Sequence, residues 1–331
     1  MEERWDTIVV GAGISGLLAA RELKANGLRV LVVDKGRGVG GRLSRRRTPV
    51  GVYDHGAQYF TASEARFVAL VEEWLEQGLV REWAQGFALQ DGSLKVNGVQ
   101  RFIGVGGMNA FSKMLASDLD VLTSAKVAQV RFVEEGWTID FEQLESKRCS
   151  SVIMTSPVPQ SLDLLSDSLS ILDTSLLDTL TKIEYERCLA LLVHIRGQSL
   201  IPHPGGIWLS GEPIAWMADN TQKGISGSDE ALITIHAGPI YSRDHWEAEG
   251  TQVEGELLRE AAPWLGGEVV TSQLHRWKFS FPVHVHPERC LAATRPAPLV
   301  FAGDAFGGPK VEGAALSGLS AAETLLKALK R

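Results

Sequence analysis

The sequence predicts an α/β chain that opens on a β-α-β unit and returns to the same plan near its end, and three observations carry that prediction. An apolar run at residues 7–10 meets the glycine-rich turn Gly11-Ala12-Gly13-Ile14-Ser15-Gly16. A helical pattern over residues 14–25, stopped by Asn26-Gly27, leads to a second apolar run at 29–33 that ends on Asp34. Residues 299–329 then read as a strand, a glycine-rich loop and a long helix rich in small residues. Glycine accepts the left-handed backbone that closes helices, so Gly27 is the expected stop.

Between these ends the elements are plainer. Residues 64–79 read as an amphipathic helix carrying Phe67, Leu70, Val71, Trp74 and Leu75. A helix is expected over 108–115, after the loop Gly104-Val105-Gly106-Gly107. Residues 121–141 alternate as strands do, and 152–155 is a short buried strand stopped by Pro157 and Pro159. The middle, 160–275, shows few helix signals, strand-like runs at 189–195 and 231–236, and Trp208, Trp216, Trp246 and Trp264. It reads as a substrate domain. The boundaries follow: a discontinuous nucleotide-binding domain of 1–62, 97–158 and 276–331, and a substrate domain of 63–96 and 159–275.

Composition narrows the function classes. At 331 residues, 44% hydrophobic and 22% charged, the chain is long enough for one large or two interleaved domains with a sizeable core. The 33 Lys and Arg against 40 Asp and Glu leave a net charge of -7, which argues against non-specific binding to nucleic acid or anionic membranes. Cys149, Cys188 and Cys290 are far apart and show no metal or redox spacing, so reduced thiols in a cytoplasmic protein are expected. The acidic start, the absence of an apolar stretch near the roughly 18 residues a span requires, and the basic last residues predict no signal peptide, membrane helix or tail anchor.

Four motifs carry chemistry. In the first turn, Gly11 allows the tight bend, Gly13 lets a pyrophosphate approach the backbone, and Gly16 lets helix and strand pack closely. The helix N-terminus offers free N–H groups to phosphate. Asp34, some twenty residues on, completes a dinucleotide fingerprint without separating NAD from FAD. The second motif is Asp34-Lys35-Gly36-Arg37-Gly38-Val39-Gly40-Gly41-Arg42, followed by Arg45-Arg46-Arg47, a solvated charged loop or, as the lesser alternative, an attractor for a phosphorylated substrate. The third, Tyr53-Asp54-His55-Gly56-Ala57-Gln58-Tyr59-Phe60-Thr61, reads as a short strand with a glycine for close backbone approach. The fourth joins Phe301-Ala302-Gly303-Asp304 to Val311-Glu312-Gly313-Ala314-Ala315, where a helix beginning near Gly313 aims its positive end at an anionic ligand.

These motifs, with Pro157-Val158-Pro159-Gln160, Ile235-His236-Ala237 and His275-Arg276-Trp277, resemble the renalases, flavoproteins of the amine-oxidase superfamily, over nearly the whole chain and most closely their bacterial members. The resemblance implies a Rossmann-like FAD/NAD(P)-binding domain of the amine-oxidase type with an inserted mixed-sheet, α+β substrate domain. It implies non-covalent FAD held by Gly11, Ala12, Gly13, Ile14, Ser15, Gly16, Asp34, Lys35, Gly41 and Arg42. Further cofactor contacts are implied at Gly56, Ala57, Gln58, Val127, Gly303, Asp304, Val311, Gly313 and Ala314. It also implies a reaction: 2-dihydro and 6-dihydro NAD(P)H are oxidised to NAD(P)+, with hydride going to flavin N5 and O2 reoxidising the flavin to give H2O2. Positioning supplies most of such catalysis, so no acid–base dyad is required.

The substrate-side candidates are His236, Gln58, Trp216, Asn220 and Trp277. Each has a blander reading: a satisfied core histidine, a strand-end amide bonded to backbone, or core tryptophans. His284 and His286, two apart, suggest one strand face, but no ligand set completes a metal site and none is expected. The partners expected are a dihydronicotinamide dinucleotide and O2, with neither nucleic acid nor membrane. The main rival is an amine or polyamine oxidase, disfavoured because Lys310 replaces a cage aromatic in Phe306-Gly307-Gly308-Pro309-Lys310, although Phe306 partly substitutes. A carotenoid desaturase or protoporphyrinogen oxidase is weaker, and a non-catalytic flavin-binding sensor is the other alternative.

Overall fold

The structure, a computed structural model, describes residues 4–134, 136–227 and 229–330. The chain begins with β1 (Arg4–Val10), α1 (Ile14–Ala25) and β2 (Val30–Val33), then β3 (Arg45–Thr48) and β4 (Gly51–Asp54). Next come α2 (Ala65–Glu76), β5 (Val80–Leu89), β6 (Leu94–Gly104) and α3 (Ala110–Leu115). Strands β7 (Asp120–Leu122), β8 (Val127–Val133), β9 (Gly136–Phe141) and β10 (Lys147–Met154) precede α4 (Val158–Leu164) and α5 (Thr174–Thr181). Then follow β11 (Tyr185–Arg196), β12 (Gly206–Trp208), β13 (Ile214–Asp219), β14 (Ala231–Ala237), α6 (Pro239–Asp244), α7 (Gly250–Leu265) and β15 (Glu268–Pro282). The chain closes with β16 (Leu291–Ala293), β17 (Leu299–Phe301) and α8 (Lys310–Leu329).

Two compact units result: Met1–Gly41, Ser112–Tyr185 and Phe281–Arg331 in one, Arg42–Phe111 and Glu186–Ser280 in the other. The first is built on the path β16-β17-β10-β1-β2-β7, with β9 and β8 added beyond β10. Its central pairs, β1 with β2 and with β10, are parallel. Parallel strands buried on both faces read as unbroken apolar runs, and Val30–Val33 is buried at every position. Helices α1 and α8 approach so closely that a Cβ on Gly318 would collide with the Ser15 carbonyl oxygen.

The second unit is a seven-stranded sheet ordered β15-β11-β14-β13-β12-β5-β6. One face is apolar. Leu189, Leu191, Val193, Ile233, Ile235, Met217 and Ile207 meet Val253, Leu257, Ala261 and Leu265 of α7 in a single core. Those four α7 residues recur every fourth position, a helical stripe facing a sheet. The alternate residues point the other way. Cross-strand pairing puts Trp208 opposite Trp216, and Trp216 opposite His236.

Several expectations are corrected. Residues 53–61 are not one strand: β4 ends at Asp54, because Gln58 Nε2 donates to the Asp54 and Gly56 carbonyls and turns the chain. Pro157 and Pro159 do not merely stop β10; they open α4, where first-turn nitrogens have no helical partner to lose. The middle is more helical than expected, since α5, α6 and the 16-residue α7 lie there. Arg45–Thr48 is a strand paired with β4, not a loop, with Arg45 opposite Asp54. The expected helices at 64–79 and 108–115 are shorter, Ala65–Glu76 and Ala110–Leu115. His284 lies outside any strand while His286 forms a bridge to Phe306, so they share no strand face. Among the described residues no His, Cys, Asp and Glu group could hold a metal, and no helix is long and apolar enough to cross a membrane.

Candidate functional site

In the first unit the glycine turn has the geometry its spacing predicts. Gly11 takes φ +115°, and a Cβ there would collide with the Thr155 hydroxyl, which donates to the Val10 and Gly11 carbonyls. At Gly13 a Cβ would meet nothing within 4 Å: the space beside the turn is open. Gly13 caps α1 with no side-chain hydrogen bond and no acid in the first turn, and Leu17 makes the first helical bond, to Gly13. The N–H groups of Ile14, Ser15 and Gly16 therefore remain for a ligand. The buried Ser15 hydroxyl has no protein partner.

Asp34 braces this turn, its two carboxylate oxygens accepting from Ala12 N at 2.7 Å and Gly36 N at 2.6 Å. Each oxygen keeps a lone pair for a hydroxyl. The second fingerprint packs on the first, with Gly40 N donating to the Ala12 carbonyl at 2.8 Å and Gly41 at φ +54° against Gly13. Val127 is buried in this unit's core. At the far end of the chain Gly303, at φ +138°, donates to Ser317 Oγ, and Asp304 is buried. The last helix starts at Lys310, three residues before the expected Gly313, and Lys310 itself has φ +74°. A Cβ on Gly313 would collide with the Gly308 carbonyl, which explains the small residue there; Val311 is buried and Ala314 partly so. Phe306 is wholly buried in the core and offers no cage wall; that expectation is corrected.

The second unit brings two of the five substrate-side candidates, His236 and Trp277, to one backbone carbonyl. The His55 carbonyl accepts from His236 Nε2 at 3.1 Å and Trp277 Nε1 at 2.9 Å. A carbonyl only accepts, so His236 is protonated at Nε2 and its Nδ1 is the lone-pair nitrogen. Burial lowers the His236 imidazole to about 4, the His55 carbonyl opposing and Lys223 assisting. Burial lowers His55 to about 3, with His275, Arg46 and His236 adding to it. Both rings are neutral at pH 7. Arg42 donates to the Ser280 carbonyl, and its own carbonyl accepts from Ala57 N, so a Cβ on Gly56 would collide with it. Lys35 is exposed in the first unit.

Gln58 bonds the backbone of its own turn, as the blander reading holds, yet its Oε1 is buried with no protein partner. Trp216 is buried with its Nε1 likewise unpartnered. Asn220 is different. Fully buried, it accepts from Asp54 N and donates to Leu232 O and Thr234 Oγ1, so it braces the fold instead of meeting a ring.

What the motifs missed is the hub beneath them. Asp54 Oδ2 pairs with Lys223 Nζ at 2.8 Å, both side chains at 0% exposure. Asp54 Oδ1 accepts from Met108 N, and its carbonyl accepts from Thr234 and Gln58. Burial draws the Lys223 ammonium below its ordinary range while Asp54 holds it up. The ammonium also lies 4.9 Å over the Trp83 ring. Lys223 carries no motif, and its partner is 169 residues away. The thiols of Cys149 and Cys188 are buried and pushed up to about 12, which keeps them inert.

A model of flavin-containing amine oxidoreductases matches residues 84–326, and one of NAD(P)-binding Rossmann-like domains matches 9–74. The chain belongs to the flavin-containing amine oxidoreductase family. It is an FAD-dependent oxidoreductase, and the open, uncapped turn at Gly13 and the braced Asp34 fit that cofactor. The chain is 26% identical to renalase of Mus musculus over 98% of both chains. It is 40% identical to an L-amino acid dehydrogenase of Synechocystis sp. over 21% of this chain and 15% of that protein. In fold it is similar to cyclohexylamine oxidase from Brevibacterium oxydans IH-35A, with TM-score 0.75, 15% identity, and 99% and 100% of the two chains covered. A putrescine oxidase bound to putrescine gives TM-score 0.72 at 15% identity, covering 99% and 100%.

Proposed function

We propose that this flavin-containing amine oxidoreductase is a cytoplasmic oxidase of isomeric dihydronicotinamides, converting 2-dihydro and 6-dihydro NAD(P)H to NAD(P)+ with O2 as final acceptor and H2O2 as product. The observation that carries the reading is the charge on the second unit's polar face. His55 and His236 are held neutral, Asp54 and Lys223 neutralise each other, and Arg101 is a cation at the aromatic cluster with no carboxylate partner among the described residues. A protonated amine is repelled there, whereas a neutral dihydropyridine bearing a diphosphate is not. The full-length similarity to mouse renalase supports the same choice.

Bound FAD supplies the hydride acceptor, and the product is an aromatic cation, so the chain need only place a ring. Gln58 Oε1 offers an acceptor to ring or cofactor. His236 and Trp277 fix the His55 carbonyl and so the turn that carries Gln58. Trp216 walls the ring, and Asn220 acts through Asp54. The cofactor contacts proposed are those the resemblance named, from Gly11 to Ala314, held non-covalently. The division into 1–62, 97–158 and 276–331 against 63–96 and 159–275 is retained as a division by ligand, not by compactness. Residues 42–62 pack in the second unit yet include Arg42, Gly56 and Gln58. Anaerobic loss of flavin absorbance on mixing with 6-dihydro-NAD tests the reading; loss with spermine alone favours an amine oxidase, and loss with neither favours a sensor.

A further inference from the structure

The second unit holds an aromatic cluster whose polar atoms are not satisfied from within. Tyr59, Trp83, Phe87 and Trp216 pack with ring centroids 4.7–6.3 Å apart. Arg101 lies over two of these rings, its Cζ 5.7 Å from the Tyr59 centroid and 5.3 Å from Phe87. Its Nη1 and Nη2 are tied to the Val99 carbonyl and Asn97 Oδ1, which fix the guanidinium plane. The guanidinium draws the Tyr59 hydroxyl down against the burial that raises it.

Two donors in this cluster have no acceptor: Arg101 Nε and Trp216 Nε1, both buried. Among the described residues Arg101 forms no ion pair with a carboxylate. Lys223, over Trp83, is neutralised by Asp54, which leaves the Arg101 charge as the uncompensated one described in this cluster. A pre-positioned planar guanidinium without a carboxylate matches the two-oxygen edge of a phosphate. Orphan donors beside aromatic faces suit a ligand that is flat and rich in acceptors. Tyr59 belongs to the same Gly56–Thr61 run as Gln58, so this platform continues the proposed ring-binding turn along the chain.

We infer that Arg101 is the specificity-determining residue for the substrate's diphosphate, with the Tyr59–Phe87–Trp216 cluster as its floor. It selects dinucleotides over nicotinamide compounds that carry no phosphate and rejects amines. The inference rests on the proposed function and names the substrate group that this residue reads.

Equilibrium binding to the FAD-loaded protein tests it, with NAD+ and nicotinamide riboside as probes titrated calorimetrically against the natural chain, R101Q and R101K. The expected result is an NAD+ Kd raised about tenfold or more in R101Q with the riboside Kd unchanged, and the salt dependence of NAD+ binding reduced. R101K, which keeps the charge but not the planar fork, is expected between the two. FAD content and melting temperature matching the natural chain show that R101Q is folded; if R101Q fails to fold, R101K alone decides by the same ratio. Equal weakening of both probes, no weakening of either, or no binding of NAD+ to the natural chain overturns the inference. Reduction by 6-dihydro-NAD is read separately on the natural chain. Its absence defeats the proposed function, whereas an unchanged Kd ratio defeats only the role of Arg101.

Discussion

Asp54 and Lys223 show how much of the candidate site depends on a pair that touches no ligand in the proposed mechanism. With both side chains at 0% exposure, removing one partner strands a buried charge. Lys223→Met is expected to cost roughly 3–5 kcal/mol by denaturant unfolding, and pairing it with Asp54→Asn to recover much of that loss. A single-variant cost below about 1 kcal/mol contradicts the burial of the pair. The neighbouring imidazoles give a pH signature. His236 sits near 4 and His55 near 3, against 6.5 for an ordinary histidine. Below pH 6.5 the unfolded chain binds protons that the folded chain refuses, so stability falls as pH drops from about 6.5 towards 4 and then 3. His236→Gln is expected to flatten the upper part of that slope in melts taken between pH 7 and pH 4, and an unaltered slope contradicts neutral burial of this ring.

At the scale of elements, close approach decides what the glycines are for. Helices α1 and α8 meet where a Cβ on Gly318 would strike the Ser15 carbonyl oxygen. Gly318→Val is expected to lower stability by roughly 1–3 kcal/mol and to weaken FAD retention, since Ser15 lies in the phosphate-binding first turn of α1. Unchanged melting and unchanged FAD content in that variant contradict the tight helix pair. The β-α-β start was legible because its glycines, its helix stop and Asp34 are encoded within one short stretch of chain. The turn after β4 was not. Its shape comes from the Gln58 side chain bonding the Asp54 and Gly56 carbonyls, a side-chain choice with no periodicity to reveal it. Helix α7 was missed for a related reason: it has no acid in its first turn, its N-cap Glu249 makes no side-chain cap bond, and Pro263 lies inside it.

Over the whole molecule, the sequence disclosed what is local and hid what is distant. Gly11 to Asp34 announces the nucleotide turn, but Asp54–Lys223, Arg101 over Tyr59, and Trp216 opposite His236 arise only when segments far apart in sequence meet. The seven-stranded sheet has an apolar face for α7 and an aromatic face with orphan donors and the Arg101 guanidinium, and that second face supports the proposed dinucleotide substrate over an amine. The direct test is anaerobic mixing of the FAD-loaded chain with 6-dihydro-NAD in one series and spermine in another, following flavin absorbance. The expected result is rapid bleaching by the dihydronicotinamide, none by the amine, and recovery with formation of H2O2 when air is admitted. Bleaching by spermine, with the dihydronicotinamide inert, would contradict it.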